Sequence, residues 1–106
     1  MATRVPIACD LGALTTIERE RRAALASQLR ARVIAIKDRE LGYRLNYAAD
    51  TPLPLLAEWI GLERRCCPFL AFTIELPAAG ASIVLHLSGG EGVKEFLTAA
   101  LGDVRQ

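Results

Sequence analysis

Residues 51–69 read TPLPLLAEWIGLERRCCPF, a helix signal with a proline at each end. Pro52 can occupy the first helical turn without losing an intrahelical hydrogen bond, and Asp50 and Thr51 precede it as candidate caps. Pro68 disfavours helical backbone in the residue before it, so we expect the helix to end at the cysteines. One helix face is predicted to carry Leu55, Leu56, Trp59, Ile60, Glu63 and Cys67.

A second helix is predicted upstream by the capping box Thr15-Thr16-Ile17-Glu18, in which the threonine and glutamate side chains satisfy backbone donors of the first turn. It is expected to run from about Thr16 to Ala31. Arg21 falls near its apolar stripe, from which it could point toward Glu63. The stripe is predicted to contain Leu14, Ile17, Ala24, Leu25 and Leu29.

Runs of branched and aromatic residues between turn signals predict five strands and a short last helix. The first run contains Pro6, which favours an edge strand. The predicted strands are Val5–Leu11, Val33–Ile36, Tyr43–Tyr47, Phe69–Leu76 and Ser82–Leu87, and the helix is Val93–Leu101. We therefore predict an α+β two-layer sandwich with helices on one face of a mainly antiparallel sheet, a ferredoxin-like βαββαβ order plus an extra strand and helix. The order of one helix followed by two strands occurs at 15–47 and again at 51–87, which indicates a weak internal duplication.

The composition indicates one ordinary globular domain over residues 1–106. Hydrophobic residues make up 52% and charged residues 24% of the chain, and the net charge is +1. This balance argues against a nucleic-acid partner, which requires a concentrated basic patch. No segment approaches the roughly 18 apolar residues of a membrane span, and the N-terminus lacks a signal-peptide core, so we expect a cytoplasmic protein. Three cysteines in such a compartment favour free thiols or metal ligands over a disulfide.

The segment Glu63-Arg64-Arg65-Cys66-Cys67-Pro68 gathers the reactive side chains of the chain. Helical spacing of three and four places Glu63 below both cysteines. Neighbouring helical residues diverge by about 100°, so the two sulfurs can share one ion only if the helix unwinds at Cys67. Arg64 is expected to promote thiolate formation, and Cys9 can supply a third sulfur if its segment lies beside the helix end.

These residues predict a thiol site for a soft metal or metalloid ion, formed by Cys66, Cys67 and Glu63 with Cys9 as a further ligand. Zinc, mercury, cadmium and arsenic(III) all suit such ligands, and no pattern indicates an organic cofactor. Two alternatives stay open. One is a non-catalytic homodimeric interaction domain with structural cysteines, and the other is a thiol-dependent enzyme that acts on a small electrophile through Cys66, Cys67, Glu63 and Arg64. The single histidine, His86, is expected to be a surface or hydrogen-bonded residue.

The segment Leu62-Glu63-Arg64-Arg65-Cys66-Cys67-Pro68-Phe69-Leu70, with Leu56-Ala57-Glu58-Trp59-Ile60 before it, resembles a family of small bacterial proteins that carry an E-R-x-C-C-P-F signature. The likeness extends from the Cys9 segment to the terminal helix at Val93. It implies a shared fold and does not imply a particular reaction.

Overall fold

The computed structural model describes residues 8–78 and 80–101 of the chain. Within them it confirms the predicted α+β two-layer sandwich, a four-stranded antiparallel sheet with three α-helices. In chain order, a 3-10 helix at Leu11–Ala13 is followed by α1 (Thr16–Arg30), β1 (Val33–Arg39), β2 (Gly42–Tyr47), α2 (Leu53–Cys66), β3 (Ala71–Glu75), β4 (Ile83–Ser88) and α3 (Val93–Ala100).

The sheet has the strand order β1-β2-β4-β3, and every neighbouring pair is antiparallel. Each half of the sheet is a hairpin, and the two hairpins meet where β2 pairs with β4. The order of one helix followed by two strands therefore occurs twice, as α1-β1-β2 and α2-β3-β4. Gly42 is required at the β2 end, because a side-chain carbon there would lie 1.9 Å from the carbonyl oxygen of Leu87.

The main core lies between the sheet and its helices. Alternate side chains of β2 and β4 point toward the helices, as the period of two in a strand requires. The buried core consists of Leu29, Tyr43, Leu45, Tyr47, Leu56, Ile60, Ile83, Leu85, Leu87, Val93 and Leu97. A second, smaller cluster of Leu14, Cys66 and Cys67 lies at the end of α2, with Cys9, Leu62, Phe69 and Leu70 packed against it.

The prediction of a first strand at Val5–Leu11 is wrong for the part of it that the structure describes. Residues 5–7 of Val5–Leu11 lie outside the described residues, and residues 8–10 form no strand. Asp10 instead caps the 3-10 helix by accepting a hydrogen bond from the Gly12 N–H at 3.0 Å. The Asp10 N–H donates to the Cys66 carbonyl, so this backbone binds a helix end and not a sheet edge. The ferredoxin-like order needs a strand before α1, and the described residues contain none, so they do not support that detail.

The start of α2 also differs from the prediction. Pro52 is the residue before the helix, and no side chain caps it. Thr51 donates its hydroxyl to the Ala48 carbonyl at 2.6 Å, and Asp50 accepts a hydrogen bond from Arg32 at 3.0 Å. Both candidate caps therefore form hydrogen bonds outside the helix, in or across the connection from β2 to α2. The capping box of α1 is confirmed, with Thr15 and Glu18 bonding reciprocally.

Candidate thiol and metal site

The end of α2 brings two cysteine sulfurs together. Cys66 is the last helical residue, and Cys67 leaves the helical conformation at φ −126° while its N–H still bonds the Glu63 carbonyl at 2.6 Å. The two Sγ atoms lie 3.6 Å apart, and both residues are fully buried. The predicted unwinding at Cys67, which Pro68 favours, thus overcomes the divergence of neighbouring helical side chains.

The segment before α1 carries the third sulfur, that of Cys9. This segment packs against the end of α2, where the Asp10 N–H donates to the Cys66 carbonyl at 2.7 Å and Leu14 is buried. Cys9 is disulfide-bonded to Cys67, with a Cα–Cα distance of 4.6 Å. The expectation of three free thiols is therefore wrong for this state, because docking of the N-terminal segment places two sulfurs within bonding distance. Among the described cysteines, only Cys66 is a free thiol.

Glu63 is the buried carboxylate of the site, and its cationic partner is Arg22. Arg22 Nε lies 2.5 Å from Glu63 Oε1, and the Glu63 side chain is 7% exposed. The contact joins the two charges without the alignment of a good hydrogen bond, since Arg22 Nε has no well-oriented acceptor among the described residues. On the other side, Glu63 Oε2 lies 3.5 Å from Cys67 Sγ, where it can accept a hydrogen bond from a reduced thiol.

The expectation that Arg21 reaches Glu63 is wrong, and the missed residue is Arg22. Arg21 pairs with Glu58 on the exposed side of the helices. The difference arises at Ile17, which the predicted apolar stripe includes but which is 78% exposed. Leu25 and Leu29 lie three and seven positions after Arg22 and four and eight positions after Arg21, so the spacing of the buried leucines places either arginine beside the buried face.

The sequence predicts that Arg64 promotes the thiolate, but the cation that lowers the pKa of the Cys66 thiol is Arg22. Arg64 is exposed on α2. Its neighbour Arg65 bonds the carboxylate of Glu18 and the Ala13 carbonyl, which fastens α2 to the start of α1. His86 lies on β4 and its Nε2 is 2.6 Å from Glu75 Oε1, as expected for a hydrogen-bonded surface histidine.

The electrostatics of the site keep its free thiol protonated. Burial raises the pKa of the Cys66 thiol above its ordinary value, and the negative charge of Glu63 raises it further. Arg22 acts in the opposite direction by stabilising the thiolate. The free sulfur is therefore a neutral thiol near neutral pH, and binding a cation would release its proton.

The three sulfurs of Cys9, Cys66 and Cys67 all lie within 4.8 Å of one another, close enough to hold one metal ion once the disulfide is reduced. Thiolates are the ligands that soft and borderline ions prefer. Glu63 lies outside this set of three but contacts one of its members. The structure thus brings together Cys9, Cys66, Cys67 and Glu63, as the sequence predicted, and adds Arg22.

Comparison with known proteins gives no match to a family model, a curated protein or a solved structure. The resemblance to proteins with an E-R-x-C-C-P-F signature therefore stays a prediction. None of the helices formed by the described residues is long and apolar enough to cross a membrane.

Proposed function

We propose that the reduced protein binds one soft metal or metalloid ion through Cys9, Cys66 and Cys67. The observation that supports this proposal is the clustering of all three sulfurs within 4.8 Å, with Cys66 and Cys67 fully buried and Cys9 half-buried. Zn²⁺, Cd²⁺, Hg²⁺ and arsenic(III) are the candidate ions, since each accepts thiolate ligands.

Charge balance supports a cation at this position. Three thiolates and the Glu63 carboxylate would place four negative charges beside Arg22, the cation that contacts Glu63. Buried charges are tolerated only when they are paired, so the thiolate form requires a bound ion. Glu63 lies where it can accept the Cys67 proton during ligation or can complete the coordination of an ion that takes a fourth ligand.

The disulfide makes binding depend on the redox state. With Cys9 and Cys67 joined, only the Cys66 sulfur is a thiol, and one thiol cannot chelate an ion. Reduction restores the three ligands. We therefore expect the oxidised protein to bind none of these ions tightly.

Native mass spectrometry after exposure to Zn(II), Hg(II) and As(III) tests the proposal. The reduced protein should take up one ion per chain, while the oxidised protein and a Cys66→Ser, Cys67→Ser double variant should not. A Cys66→Ser variant with an intact disulfide is the control for nonspecific uptake. Equal uptake by the reduced wild type and the double variant would overturn the proposal.

A second candidate function is a structural one, in which the cysteines stabilise a non-catalytic interaction domain. It is favoured by the complete burial of Cys66 and Cys67 and by the link that the disulfide makes between the N-terminal segment and α2. Thiol titration separates the two candidates. Rapid modification of the reduced native protein supports the binding site, whereas protection of all thiols until unfolding supports the structural role.

A further inference from the structure

A cavity of about 170 Å³ lies between the helices and the sheet, next to the thiol cluster. Three of its lining residues belong to the site already described, namely Cys9, Arg22 and Glu63. The other walls are mostly apolar and include Leu29, Val33, Leu45, Trp59, Phe96 and Leu97. The cavity therefore has one end that carries a sulfur and a charged pair, and a body of mostly hydrocarbon and aromatic surface, with Arg30 and the Tyr47 phenol among its further polar groups.

The volume suits a single aromatic ring. An apolar cavity of about 150 Å³ engineered into another protein stays dry and binds benzene. The one phenol in this cavity, Tyr47, stays neutral, since burial raises the pKa of Tyr47 to about 12. The indole N–H of Trp59 is buried without a hydrogen-bond partner among the described residues, and a ring face is a weak acceptor for such a donor.

We propose that this cavity binds the aryl group of an arylarsenic(III) compound whose arsenic is held by the sulfurs of Cys9 and Cys67. The inference rests on the proposed function and names its substrate class. Cys9 is the link between the two parts, because its sulfur belongs to the metal-binding cluster while the residue also lines the cavity. An inorganic ion would occupy the sulfurs and leave the apolar volume empty, whereas a phenyl-substituted arsenic fills both.

The binding step conserves oxidation states once the thiols are free. A small dithiol reductant first reduces the Cys9–Cys67 disulfide and becomes a cyclic disulfide itself. Phenylarsenic(III) dihydroxide then exchanges its two hydroxyl groups for the two sulfurs. Two As–O bonds break, two As–S bonds form, and the two thiol protons leave with the hydroxyl groups as two water molecules. Glu63, which lies 3.5 Å from Cys67 Sγ, is placed to carry the first of these protons.

The test is a competition between phenylarsenic(III) and methylarsenic(III) for the reduced protein, with the two adducts separated by native mass spectrometry. The same competition for dithiothreitol gives the intrinsic preference of a dithiol. The protein should favour the phenyl compound about tenfold more than dithiothreitol does, because burial of a ring removes more apolar surface from water than burial of a methyl group. A biphenyl compound, too large for the cavity, should lose this advantage.

A cavity-filling variant tests the location. Ala26→Phe places a ring in the cavity and should abolish the phenyl preference while uptake of inorganic As(III) is unchanged. Ala24→Phe, an exposed position on the same helix, is the matched control and should keep the preference.

The outcomes separate the two proposals. Uptake of inorganic As(III) together with a phenyl-to-methyl ratio equal to that of dithiothreitol would overturn this inference alone. Failure to bind either arsenical or the inorganic ion would overturn the proposed function as well. If Ala26→Phe does not fold, the ratio between phenyl and biphenyl compounds on the wild type decides the question.

Discussion

Two ion pairs join α1 to α2, and they differ in alignment and in exposure to solvent. Arg21 and Glu58 form a bidentate pair, with distances of 2.7 and 2.8 Å, and both side chains are more than two-fifths exposed. Arg22 and Glu63 form a single contact at 2.5 Å, with side chains 26% and 7% exposed. The better-aligned pair is thus in water, and the poorly aligned pair is buried beside the sulfurs.

The difference shows that the surroundings of a charge pair decide its role more than its alignment does. Water and salt screen the Arg21–Glu58 pair, so it adds little to stability. The Arg22–Glu63 pair lies in a medium of lower dielectric constant, where the Glu63 charge raises the pKa of the neighbouring Cys66 thiol and the Arg22 charge lowers it. We call Arg21–Glu58 the outer pair and Arg22–Glu63 the inner pair.

The largest expected effect comes from removal of the disulfide that lies against the inner pair. Cys9→Ser should lower the free energy of unfolding by about 4 kcal/mol, because the disulfide closes a loop across a sequence separation of 58 residues and so restricts the unfolded chain. Urea denaturation without reductant measures this loss. Cys66→Ser keeps the disulfide and is the matched control. Equal stability of the two variants would show that the link does not hold the N-terminal segment.

Removal of the buried carboxylate tests the comparison directly. Glu63→Ala leaves Arg22 without its partner in a largely buried position and should destabilise the oxidised protein by about 3 kcal/mol. Glu58→Ala, the matched change in the outer pair, should barely move the denaturation midpoint, because both partners stay solvated. Equal losses in the two variants would contradict the distinction between the pairs.

The inner pair should also control the ionisation of Cys66. Glu63→Gln removes a charge that opposes the thiolate and should lower the pKa of Cys66, whereas Arg22→Gln should raise it. Ultraviolet absorbance of the thiolate, followed against pH, reports this pKa in the oxidised protein. Glu58→Gln and Arg21→Gln in the outer pair should leave the titration unchanged. A shift caused by an outer-pair variant would mean that exposed charges reach the thiol.

The same thiol should make the protein less stable in alkali. The folded-state pKa of Cys66 lies above its ordinary value of 9.0, so the folded chain holds the proton more tightly than the unfolded chain. The stability linked to this proton is complete below pH 9.0 and is lost as the pH rises toward the folded-state pKa. Cys66→Ala should remove this part of the alkaline decline, measured as the urea midpoint against pH. An unchanged decline would assign it to other groups.

Much of the fold could be predicted because its signals are local. A capping box marks the start of α1, Pro68 ends α2 at the cysteines, and runs of branched and aromatic residues between turn signals mark the four observed strands. The candidate site is predicted in part for the same reason, since Glu63, Cys66 and Cys67 are neighbours in sequence at the end of one helix. These residues need no knowledge of tertiary structure to be placed together.

The rest of the site depends on contacts between distant segments. A stripe that includes the exposed Ile17 predicts the wrong side of α1 to face α2, and a rotation of one residue exchanges Arg22 for Arg21. The disulfide partner of Cys67 depends on how the N-terminal segment docks, which no periodicity reports. The docking of the irregular N-terminal segment against α2 therefore could not be predicted from sequence periodicity.

The smallest expected effect concerns a third pair between the helices, formed by Arg65 and the half-buried Glu18. Arg65 bonds Glu18 and, with the Thr15 backbone, lowers the pKa of Glu18 to about 2 from an ordinary 4.5. Because the folded-state pKa is depressed, the linked stability is complete above pH 4.5 and is lost as the pH falls toward 2. Glu18→Gln should flatten the acid limb of a urea-midpoint profile slightly, since solvent screens this pair. The control is Glu20→Gln, because Glu20 is exposed on α1 and has no arginine partner among the described residues. An equal flattening by both variants would show that the net charge of the protein, and not the Arg65–Glu18 pair, sets the acid limb.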